Sequence, residues 1–60
     1  MAIINQLAEQ LGAKTEWINS VMVNESHHFV DFKCGNVDYW AKLSRDNRTV
    51  IKNSVREAGW

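Results

Sequence analysis

Two runs of alternating residues, 28 to 34 and 37 to 43, flank the dipeptide Gly35-Asn36, and no other stretch of the chain restricts its fold so tightly. In the first run Val30, Phe32 and Cys34 alternate with Phe29, Asp31 and Lys33. In the second, Val37, Tyr39, Ala41 and Leu43 alternate with Asp38, Trp40 and Lys42. A period of two places each set on its own face of a strand. A Gly-Asn pair between two such runs suits a two-residue turn, because glycine takes the positive φ of the first turn position at no steric cost. The pattern predicts an antiparallel hairpin, 28–34 with 37–43. Its core face is Val30, Phe32, Cys34, Val37, Tyr39, Ala41 and Leu43, and its other face carries Phe29 and Trp40 among charges.

A lone hairpin is not stable in water, so the rest of the chain must cover it. Ile3, Ile4, Leu7, Ala8 and Leu11 recur at three- and four-residue steps, the stripe of an amphipathic helix over 2–11, and Gly12 is its stop. After the polar turn 44–48, in which Asp46 is placed to cap a helix, Val50, Ile51, Val55 and Ala58 fall on one helical face. Arg48, Lys52 and Arg56 fall on another. A C-terminal helix over 47–58, ended by Gly59, is the expectation, and a short fourth strand at 49–53 competes because "RTVIK" is rich in β-branched residues. There is no proline, no repeat and no low-complexity run, so the expected organisation is one α+β domain over 1–60. A chain of this size buries only about 60% of the surface it exposes when unfolded, so pairing as a homodimer would help it.

Few chemistries are open to it. Cys34 is the single cysteine, so no internal disulfide can form and a reducing, cytoplasmic setting is expected. The N-terminus shows no basic leader with an apolar run, and no segment approaches the roughly 20 apolar residues of a membrane span. His27, His28 and Cys34 could be imagined as metal ligands, or with Asp31 or Asp38 as a cysteine–histidine nucleophile pair. Adjacent histidines on a strand point to opposite faces, however, and so small a domain offers little room for a closed pocket. The three glycines stand apart at 12, 35 and 59, which leaves no phosphate-binding loop. No enzymatic activity, metal or cofactor is expected.

Residues 15–23 read two ways. As a helix capped by Thr15, they gather Ile18, Val21 and Met22 on one side. As a strand, they set Trp17, Val21 and Val23 against Ile18 and Met22. The helical reading adds a spacing match. Ala8 is small where two helices would approach, Gly12 follows four residues later in the turn, and Ile18 and Val21 supply the inner side of a second helix, with Leu7, Leu11 and Ala13 apolar around them. In this pattern residues 7–23 resemble the helix-turn-helix DNA-binding motif of small bacterial and phage regulators. The resemblance implies a winged helix-turn-helix regulator that reads duplex DNA with Lys14, Thr15, Glu16, Trp17, Asn19 and Ser20 and uses the hairpin as its wing.

Charge distribution bears on the partner. Residues 1–41 hold two cations against five anions, whereas 42–56 hold Lys42, Arg45, Arg48, Lys52 and Arg56 against Asp46 alone, and the whole is neutral. On the DNA reading Lys42, Arg45, Arg48 and Lys52 grip phosphates. The neutral total and acidic first two-thirds suit instead a small protein-binding inhibitor or adaptor, of the kind phages direct at a host enzyme or defence system. In that reading 15–23 is a strand, and exposed aromatics with the basic segment dock on a protein target. Phe29 and Trp40 beside Lys33 and Lys42 also resemble a stacking platform for single-stranded nucleic acid. Trp17 and Trp60 are open to the same readings.

Overall fold

The computed structural model describes residues 2–58, so Gly59 and Trp60, and the expectations placed on them, lie outside the described residues. A helix α1 (Ile3–Leu11) leads through a single 3-10 turn (Thr15–Trp17) into four strands, β1 (Ile18–Asn24), β2 (Phe29–Cys34), β3 (Val37–Lys42) and β4 (Arg56–Glu57). They form one antiparallel sheet in the order β1-β2-β3-β4.

The helix closes where its apolar stripe ends. Gly12 takes φ 66°, in the left-handed region, and the Ala13 N–H reaches back to the Ala8 carbonyl at 2.9 Å, which satisfies an end carbonyl. Its inward stripe, Leu7 and Ala8, packs with Ile18, Val30, Phe32, Ala41, Leu43 and Val50 as the buried core. The β2–β3 hairpin turns at Gly35 with φ 62°, and Cys34 pairs with Val37 across it.

Two expectations are corrected. No second helix forms at 15–23, where the chain makes one 3-10 turn and then a strand. The register slips between Asn19 and Met22 through a β-bulge at which Ser20 has φ 54°. The extra residue sets Ile18 and Val21 three apart on the inner face, a helical spacing made by an extended chain.

Nor is there a C-terminal helix at 47–58. Leu43 bridges to Val50, the Ile51 N–H donates to the Lys42 carbonyl at 2.9 Å, and Arg56–Glu57 pairs with β3. Asp46 caps no helix, because its Oδ1 accepts the Arg48 N–H two residues on, at 3.0 Å, inside a turn. Asn47 and Asn53 sit at φ 60° and 62°, which interrupts any helix on either side of Val50. The groups a helix would have bonded internally are taken by α1 instead. Gln6 Nε2 donates to the Arg48 carbonyl at 2.9 Å and Gln6 Oε1 accepts the Val50 N–H at 2.7 Å, while Gln10 Nε2 reaches the Val50 and Ile51 carbonyls at 3.4 Å.

Candidate functional site

Pleating sorts the hairpin side chains onto two faces, and α1 covers only one. On the uncovered face β2 presents Phe29, Asp31 and Lys33, and β3 presents Lys42, Trp40 and Asp38 opposite them in that order. With no helix above it among the described residues, this face opens into a groove of about 610 Å³ lined by His27, His28, Phe29, Asp31, Trp40, Lys42, Leu43, Ile51 and Ala58. Phe29 and Trp40 are half-buried in it and Ile51 is 45% exposed at its side.

Each wall has a local cause. His27 and His28 lie in the β1–β2 turn, not on a strand. Asn24 Oδ1 accepts the His27 N–H at 3.0 Å, and His28 takes φ 58°. The His28 ring is held by a 2.9 Å hydrogen bond between Nδ1 and Asn47 Oδ1, and Asn47 Nδ2 donates to the Glu25 carbonyl at 3.4 Å, so the turn is tied to the 44–49 loop. Ile51 reaches the open face because Val50, its neighbour in extended chain, turns into the core.

The groove is mostly apolar at its base and sparsely charged. Lys33 pairs with Asp38 at 3.9 Å on the same face, a half-exposed contact that cancels charge and adds little stability. Asp31 and Lys42 supply one charge of each sign within the lining. Among the described residues no group of three or more His, Cys, Asp or Glu is placed to hold a metal. Cys34 sits half-buried against the core on the opposite face from the groove.

The expected site residues do not converge. Thr15, Glu16 and Trp17 form the 3-10 turn, where the Lys14 ammonium stands 5.8 Å from the centre of the Trp17 ring. Asn19 and Ser20 lie in β1 at the bulge. Only Trp40 and Lys42 line the groove, with Lys33 on the same face. Arg48 borders a different recess with Ala2, Ile3 and Gln6. Lys52 borders a third with Glu9, Gln10 and Tyr39, and Arg45 lies in the exposed 44–49 loop. The basic segment is thus spread around the domain.

Sequence reasoning did not single out Ile51, Leu43 or the histidines as neighbours of Trp40. The strand reading of "RTVIK" carried the signal for Ile51, since alternation sends Val50 and Ile51 to opposite faces. No helix among the described residues is long and apolar enough to cross a membrane. Comparison with protein families, with curated proteins and with solved structures finds no match to this chain.

Proposed function

We propose that the protein is a small, non-enzymatic protein-binding module, an inhibitor or adaptor that receives an apolar segment of its target on the open face of the sheet. The observation that carries this reading is the groove around Phe29, Trp40 and Ile51 on the face that α1 leaves bare. Half-buried aromatics in a concave apolar site with a sparse polar rim are the kind of anchor point where binding energy concentrates. Neutral net charge and the scattering of Arg48, Lys52 and Lys42 over separate recesses favour a protein over a polyanion.

Duplex DNA is the competing occupant, and residues 14–20 would have to read it from a 3-10 turn and the start of a strand instead of from a helix. Immobilised parent chain and its Trp40→Thr variant separate the two. A protein retained by the parent at about 0.5 M salt, where exposed charge pairs are largely screened, and lost by the variant supports the proposal. Binding to random duplex DNA that falls steeply with salt, survives Trp40→Thr and disappears in an Arg45→Ala/Arg48→Ala double variant overturns it.

A further inference from the structure

The two edges of the sheet are unequally protected. The β4 edge is two residues long, both charged, and the Arg56 guanidinium folds back to donate to the Asn53 and Val55 carbonyls at 2.8 and 2.9 Å. The β1 edge reads INSVMVN, seven residues with no charge and no proline, and it leaves Met22 71% and Val23 42% exposed. Natural sheets guard such an edge with lysine, proline, a bulge or brevity. Here the device is the bulge between Asn19 and Met22, at which Ser20 has φ 54°, and it leaves Met22, Val23 and Asn24 in register with β2.

The backbone of that stretch is set for pairing. The hydrogen bond from Leu43 N–H to the His28 carbonyl fixes the even-numbered residues of β2 as those that bond β3. Phe29, Asp31 and Lys33 therefore bond β1 through Asn24, Met22 and Asn19, the residues opposite them. Val23 is thereby left with N–H and C=O groups directed away from the sheet, and alternation from Met22 directs those of Val21, at the end of the bulge, the same way, where no strand lies among the described residues.

We propose that β1 is a homodimer seam: two copies pair their β1 edges antiparallel about a two-fold axis at Met22, joining two four-stranded sheets into one of eight. Val21 of each copy exchanges backbone hydrogen bonds with Val23 of the other, and the two Met22 side chains meet at the axis. A second copy fits better than a charged partner because the strand is uncharged and lies against itself with no like-charge contact. The seam runs along β1 and adjoins the groove where Met22 stands opposite Asp31, so the dimer would present two grooves on one continuous face, and the inference stands whether or not the groove binds a target.

Sedimentation equilibrium of the full chain, parent and variants, tests it. The parent is expected to dimerise. Met22→Lys and Met22→Glu, at an exposed position outside the core, each weaken the dimer by about tenfold or more by placing like charges opposite one another, and an equimolar mixture of the two regains association. Val23→Pro, which removes an outward N–H, also yields monomer, and circular dichroism checks that each variant is folded. A parent chain that stays monomeric at millimolar concentration overturns the proposal. So does a dimer indifferent to Met22→Lys, or a mixture of the two charged variants that fails to associate.

Discussion

The two faces of the sheet are drawn from the same strands and have opposite fates. Val30, Phe32 and Ala41 are sealed beneath Leu7 and Ala8, whereas Phe29 and Trp40, one residue away along the same backbone, stand in an open groove. Among the described residues one nine-residue helix lies over the sheet, and it closes one face. Cohesion rests on the closed face and recognition on the open one, and substitutions on the two should therefore have different signatures.

The largest effect is expected inside. Phe32 is among the most deeply buried side chains and stacks against Tyr39 with ring centres 5.6 Å apart. Phe32→Ala should cost about 3–5 kcal/mol, from lost transfer energy plus the cavity left behind, which is a large share of what a 60-residue domain can hold. Chemical denaturation that shows Phe32→Ala and Trp40→Thr to be equally damaging would erase the distinction between the faces.

Next in size is the tie that replaces a second helix. Gln6 serves both the Arg48 carbonyl and the Val50 N–H, and Val50 belongs to the core. Gln6→Ala should destabilise by roughly 1 kcal/mol by leaving a part-buried N–H without its acceptor. Gln6→Glu, which keeps an acceptor for Val50 and loses the donor to Arg48, should fall between parent and alanine variant. Amide exchange at Val50 reports the loss directly, and unchanged protection in Gln6→Ala would show that the segment is held by other means.

That tie also marks where the sequence stopped being legible. Helix α1 and the strands β2 and β3 stand within a residue or two of where periodicity put them, because each pattern is local and each break, Gly12 and Gly35, needs a positive φ that glycine supplies cheaply. The segments that failed are governed from a distance. Val50, Ile51, Val55 and Ala58 carry helical spacing, yet two glutamines 40 to 44 residues upstream of their partners hold the backbone around Val50 extended. In 15–23 a bulge restored a helical interval to a strand, so the same spacing that suggested a helix-turn-helix is produced by a slipped register against β2. Of the candidate site, Trp40, Lys42 and the face they share were readable from alternation. The groove was not, since it is completed by Ile51, which the helical reading had placed against the core.

On the open face the expected stability change is no larger. Trp40 is only half-buried, and threonine keeps a strand-favouring side chain, so Trp40→Thr should cost roughly 1 kcal/mol while abolishing capture of the target. A loss of stability on the scale of Phe32→Ala would mean that the outer aromatics serve as a second core.

The smallest effect is expected in the 44–49 loop that braces the histidine turn. The Ser44 hydroxyl donates to Asp46 Oδ1, the Arg48 N–H donates to the same oxygen, and the Arg48 charge lies nearby. In that order these interactions hold the Asp46 carboxyl below its ordinary value of 3.8, against an opposing desolvation that outweighs the Arg48 charge alone. Because the folded state favours the ionised form, the contribution is complete above the ordinary value, declines as pH falls from there and is gone once the pH is below the depressed one. Asp46 is fully exposed, so the effect should appear as a slight divergence of melting temperatures: the parent more stable than Asp46→Asn near neutrality by a constant margin, with the margin closing only in acid below about pH 4. The asparagine variant keeps a side-chain oxygen for the Arg48 N–H and loses only the charge, so a margin that persists unchanged into acid would assign the brace to loop shape instead of to the carboxylate.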